Sequence, residues 1–143
     1  MDWYNYYRDT YGKENVCWES CNPSEVASAW QGSYPYTGGK VYISKEPMEL
    51  NKEKFWTTIF CDNKIISKVE LSNAEEKYKM NYQTMNDNIL KELRKHNNDF
   101  LKNELGIPSN ESITGIEYDY AWGKIFSYYD NKSSETGIVI VYI

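Results

Sequence analysis

Residues 84–106 read TMNDNILKELRKHNNDFLKNELG, and this stretch decides the fold class. Met85, Ile89, Leu93, His96 and Phe100 follow at steps of four, four, three and four, with Leu90, Leu101 and Leu105 widening the stripe. That spacing is the period of an amphipathic helix. Thr84 offers a capping hydroxyl, and Asp87, three residues on, completes a weak capping box. Gly106 suits the left-handed stop, and Pro108 prevents resumption. Such a helix is about 30 Å long, enough to cover one face of a sheet.

The sheet is expected on both sides of it. Upstream, Phe55–Cys61 is rich in aromatic and β-branched residues, and Asp62-Asn63 suits a tight turn. Ile65–Leu71 alternates, with Ile65, Val69 and Leu71 on one face and Lys68 and Glu70 on the other. Glu76–Gln83 alternates again, with Tyr78, Met80 and Tyr82 inward and Lys77 and Lys79 outward. The lysines at 68, 77 and 79 are read as solubilising edge charges. Downstream, residues 107–111 form a loop, and 113–120 a strand with Ile116, Tyr118 and Tyr120 opposite Glu117 and Asp119. Ala121-Trp122-Gly123 is a corner, Lys124–Tyr129 a strand, and 130–136 a polar turn. The final IVIVYI is apolar at every position, as expected of a central strand covered on both faces, by the long helix and by the N-terminal aromatic segment.

The N-terminal third is read as short helices. Trp3, Tyr7 and Tyr11 share one helical face over 2–10. Asn22 caps a second helix, with Pro23 at its first position, running through Gln31 to Gly32. Residues 32–39 are loop by their Gly, Pro and Thr content, 40–44 a short strand, and 45–53 a polar connection. The fold class is therefore α+β: an antiparallel or mixed sheet of about six strands, one long helix (85–105) packed on it, and short N-terminal helices. At 143 residues this suits a single domain over 1–143.

Composition narrows the function. The net charge is −5 and the pI about 5.0, which opposes general binding of nucleic acid. Residues 1–39 carry Arg8 and Lys13 against Asp2, Asp9, Glu14, Glu19 and Glu25, and 110–143 carry Lys124 and Lys132 against Glu111, Glu117, Asp119, Asp130 and Glu135. Most of the aromatic residues lie in these same two acidic ends. No stretch of about 18 apolar residues predicts a membrane span. The N-terminus lacks the basic and apolar regions of a secretory signal. Three cysteines without such a signal favour free thiols in a reducing cytoplasm.

Chemical motifs are few. His96 is the only histidine, without the partners of an HExxH site, and is read as a packing residue one turn after Glu92. Cys17 and Cys21 have CxxxC rather than CxxC spacing; a Cys–His dyad with His96 depends on the fold, and idle thiols are the simpler reading. Thr37-Gly38-Gly39-Lys40 fails the phosphate-loop pattern, with Tyr34 where its first glycine belongs and Val41 after the lysine. Asn110-Glu111-Ser112 and Asn131-Lys132-Ser133 fit the glycosylation pattern, which has no consequence without secretion. No catalytic residue, metal ligand or cofactor is expected.

Glu117 and Asp119, two apart on one strand and flanked by Tyr120 and Trp122, stand out. Paired carboxylates serve acid/base chemistry, bind hard cations, or simply face solvent. Next to rings they also suit a basic protein surface: carboxylates steer and pair with Lys or Arg while rings supply contact area. The expected function is a small acidic cytoplasmic protein that neutralises a protein partner, of the immunity or phage counter-defence type, by covering a basic nucleic-acid-handling surface. The contact residues are Glu117, Asp119, Tyr120 and Trp122, with Trp3, Tyr4, Tyr6, Tyr34 and Tyr36 behind them. Two alternatives are an enzyme or toxin domain acting on RNA or nucleotides with carboxylates, Tyr and Arg8, and a sugar- or small-ligand-binding module.

Overall fold

The helical period of 84–106 is realised. In the computed structural model, which describes residues 30–36, 39–44, 47–62, 65–75, 78, 87–130 and 135–143, helix α1 spans Asp87–Leu105. It stops where Gly106 takes a φ of +84°, while the Gly106 N–H still reaches the Lys102 carbonyl at 3.0 Å. The buried face is Leu90, Leu93, Asn97, Phe100 and Leu101. Its centre is thus rotated from the expected line: Asn97 takes the inward position, and His96 lies half-buried at the margin. Asn97 is only 1% exposed and neither amide atom has a partner, a burial that costs stability. The Thr84 cap and Met85 fall outside the described residues.

Among the described residues, nine strands form one sheet, and each of their pairings is antiparallel. They are β1 (Trp30–Tyr36), β2 (Gly39–Ser44), β3 (Met48–Leu50), β4 (Glu53–Asp62), β5 (Ile65–Asn73), β6 (Asn110–Ser112), β7 (Gly115–Tyr120), β8 (Gly123–Asp130) and β9 (Glu135–Tyr142). Seven of these are long, and β3 and β6 have three residues each. The order is β1-β2-β4-β5-β9-β8-β7-β6, with β3 beside the start of β4. The C-terminal strand is central, as its unbroken apolar run predicts. Ile138, Val139 and Ile140 are all buried. Among the described residues, no helix is long and apolar enough to cross a membrane.

α1 packs across β7, β8 and β9. The core joins Phe55, Ile59, Ile66, Val69, Leu71, Ile116, Tyr118, Ile125, Ile138 and Ile140 to Phe100 and Leu101 of the helix. Each large apolar side chain so buried contributes about 1.5–3 kcal/mol. Phe100 meets Phe55 edge-on at 5.3 Å between centroids, extending the helix contact to β4. The sheet's outer face carries Lys68 paired with Glu70 at 3.3 Å and Lys124 paired with Glu117 at 3.6 Å. Each of these lysines also lies over a ring, Phe60 and Phe126 respectively. Both lysines lie directly across the ladder from Val141, one on either side of β9.

Several expectations are corrected. The residues assigned to a helix end and a loop, 30–36, pair with β2 as strand β1. The other N-terminal helix residues, with Trp3, Tyr4 and Tyr6, lie outside the described set. The polar connection 45–53 contains β3, which closes onto β4 through Asn51 and Lys52 at φ of 45° and 73°. Two successive positive φ values make a primed turn of the kind that joins twisted strands. Strict alternation in β5 selects Ile65, but a bulge opposite Phe60 and Cys61 resets the register, and Ile66 enters the core. Lys68 lies on a central strand rather than an edge. Tyr78, read as part of a strand, sits in a 3-10 turn, buried as expected; its neighbours Glu76, Lys77 and 79–83 are outside the described residues. The 107–111 loop enters β6 at Asn110.

Candidate functional site

Two groups of side chains stand apart, one near the β6 edge and one where the β4–β5 ladder ends. The first is the acidic pair. β7 alternates as expected: Ile116 and Tyr118 are buried toward α1, while Glu117 and Asp119 point away. Cross-strand, Glu117 lies opposite Phe126 and Asp119 opposite Lys124. Ser109 Oγ accepts the Asp119 backbone N–H at 2.9 Å, which holds the exposed end of the strand. A cleft of about 270 Å³ opens beside Glu117, with Asn110, Ser112, Thr114, Phe126 and Tyr128 in its walls. The three residues of β6 are all exposed, and Ile107 and Ile113 on either side of it are 94% and 81% exposed.

The aromatic partners of that pair are elsewhere. Tyr120 and Trp122 stack on each other at 5.2 Å and 7°, and pack against the core on the helix side. The structure therefore brings Glu117 to Asp119 and Tyr120 to Trp122, but on opposite faces. The ring that accompanies the carboxylates is Phe126. Tyr34 and Tyr36 belong to β1, at the far edge of the sheet. Tyr118 donates its hydroxyl to the Gly106 carbonyl at 2.8 Å. Burial, then Tyr120 and Glu111, push its phenol above the usual tyrosine range.

The second group is formed by Glu53, Glu75 and His96. Glu53 opens β4 directly after the primed turn, and Asn51 donates to Glu104 of the helix, docking that turn onto α1. Phe55 pairs with Asn73, and the ladder continues as the Ala74 N–H reaches the Lys54 carbonyl at 2.9 Å. Beyond that pair, Glu53 and Glu75 each bring a carboxylate oxygen to within 4.8 Å of the other. Buried Asn73 accepts the Glu75 backbone N–H at 2.9 Å, and the Glu75 carbonyl accepts the Tyr78 N–H. From above, His96 Nε2 lies 3.2 Å from both Glu53 carboxylate oxygens. Tyr78 packs on the imidazole at 6.0 Å between centroids. One ligand atom from each of the three residues falls within 4.8 Å of the others.

No family model, no curated protein and no solved structure matches this chain. The fold and these two groups therefore carry the functional argument. Sequence reasoning singled out the acidic pair by its spacing along one strand. It passed over Glu53 and Glu75, which only the tertiary fold brings together. The one signal for them was the lone histidine on a helix margin.

Proposed function

We propose that this chain is a binding protein for a protein partner with a basic surface, and that β7 carries the contact. One observation supports the reading. Glu117 and Asp119 stand side by side on the sheet face opposite α1, next to a short exposed edge strand flanked by two exposed isoleucines. Carboxylates there attract and orient a cationic partner, while Phe126, Ile107 and Ile113 supply apolar area. The Glu117–Lys124 pair is no obstacle: an exposed ion pair is worth about 0–1 kcal/mol, so exchange for a partner's arginine costs little. The specific form proposed is a cytoplasmic inhibitor of the immunity or counter-defence type that covers a phosphate-holding surface. Of the rings expected beside the carboxylates, Tyr120 and Trp122 pack on the opposite face and Tyr34 and Tyr36 belong to the far edge strand, so the contact proposed here rests on Glu117 and Asp119. The cleft beside Glu117 is smaller than most drug-sized ligand pockets, which span about 300–1,000 Å³, and this speaks against a small-ligand module.

The test is affinity capture from the natural host or target cell, with identification of the captured protein. The double variant Glu117→Lys, Asp119→Lys is then measured against that partner. An acidic contact predicts at least a tenfold weaker complex and slower association of the wild type at high salt. Unchanged binding by the double variant would remove β7 from the interface.

A further inference from the structure

We propose that Glu53, Glu75 and His96 form a binding site for a first-row divalent metal ion of the zinc type. Three elements contribute one ligand each: the start of β4, the segment after β5, and α1. Like charges close together are unfavourable, and the fold brings the Glu53 and Glu75 carboxylates to within 4.8 Å of each other. A cation bound between them would relieve that repulsion. The protein's only histidine is placed over the pair with Nε2 facing the carboxylate. Imidazole nitrogen with carboxylate oxygen is a donor set suited to zinc and its neighbours, whereas magnesium and calcium take oxygen alone.

The distances fit. Two atoms bound to one tetrahedral zinc ion, each about 2.0–2.1 Å from it, lie about 3.3 Å apart. His96 Nε2 and the Glu53 oxygens are separated by 3.2 Å. Glu75 is exposed, and a side-chain rotation closes the remaining distance. Its backbone is held by Asn73, as outer groups hold ligand-bearing segments in known metal sites. Three protein ligands leave a fourth position open to water or to a ligand from outside. The competing occupant is a proton, with imidazolium bridging the two carboxylates.

A single histidine makes the distinction direct. Zn2+ is titrated into the full-length protein at neutral pH while the imidazole nitrogens are followed by NMR. The site predicts saturable movement of the Nε2 signal at one equivalent. A proton bridge leaves both nitrogens unmoved by Zn2+ and overturns the proposal. Co2+ absorbance supplies the second readout, because the thiols of Cys17, Cys21 and Cys61 also bind metals. Nitrogen and oxygen ligation gives visible bands without the intense near-ultraviolet sulfur band; a sulfur band alone overturns the assignment. His96→Gln, Glu53→Gln and Glu75→Gln should each weaken Co2+ binding at least about tenfold, by comparison with losses of 10–100-fold for outer-shell changes. Glu75 is exposed, so its variant keeps the test valid if the other two fold poorly. Undiminished affinity in all three variants, or equal binding of Mg2+, rejects the site. These readouts are independent of partner capture through β7.

Discussion

Tyr118 shows how one side chain joins helix, sheet and pH response. It belongs to the core, yet its hydroxyl reaches the carbonyl of Gly106 at the helix stop. Its phenol titrates above the ordinary value, chiefly because burial disfavours the phenolate. A folded value above the unfolded one means that the contribution is complete below the unfolded tyrosine value, about 10, and is lost as pH rises through the folded value. Tyr118→Phe removes a hydrogen bond worth about 0.5–1.5 kcal/mol at pH 7. It should also flatten part of the alkaline loss of stability. Urea unfolding of both proteins between neutral and strongly alkaline pH measures each effect: the gap between them should shrink as pH rises. Asn97 is the counterexample at this scale. Helical spacing makes it inward-facing, and the structure provides its amide with no partner.

Among the elements, the β3–β4 hairpin has the tightest link between backbone conformation and chemistry. Its turn residues both lie at positive φ, which asparagine tolerates and lysine adopts at a cost of roughly 1–2 kcal/mol. Lys52→Gly should therefore raise the midpoint of thermal unfolding, by an amount matching up to about 1 kcal/mol once the added freedom of the unfolded chain is counted. A calorimetric scan reads this directly, and an unchanged or lower midpoint would contradict it. Gly123 illustrates the opposite constraint: a methyl group there would overlap the Val141 carbonyl oxygen, so close pairing of β8 with β9 demands the glycine. Neither requirement is visible in composition, because both come from what lies across the ladder.

For the molecule as a whole, the sheet's order assigns stability. β5 and β9 each pair on both sides, and their inward residues meet the core. Native-state hydrogen exchange should show the slowest amides at Val69–Leu71 and Ile138–Val141, opening only with global unfolding, and faster exchange in the exposed edge strand β6. Comparable rates in β6 and β9 would mean that the sheet does not unfold as ordered here. The two candidate sites follow the same layout. The acidic pair lies near the β6 edge on the face opposite α1. The Glu53–Glu75–His96 group lies under the margin of α1, where the β4–β5 ladder ends.

Much of this was legible in the chain. The 84–106 stripe specified a helix because a period near 3.6 turns apolar residues to one side, and the alternation of β7 separated Glu117 and Asp119 from Ile116 and Tyr118 because strand side chains point to opposite faces. The IVIVYI run marked a central strand because a long apolar run suits a strand with neighbours on both sides, and β9 pairs with β5 and β8, although Ile143 lies beyond it and exposed. Register was not legible. The bulge that brings Ile66 inward, the pairing that makes 30–36 a strand, and the placement of Glu53 near Glu75 and His96 all depend on partners distant in sequence. By itself, then, the sequence determined which residues share a face of each element, since that is a local property of backbone geometry. Tertiary structure alone decided which faces and which carboxylates meet, since cross-strand pairing and helix docking minimise the energy of the whole sheet rather than of any segment.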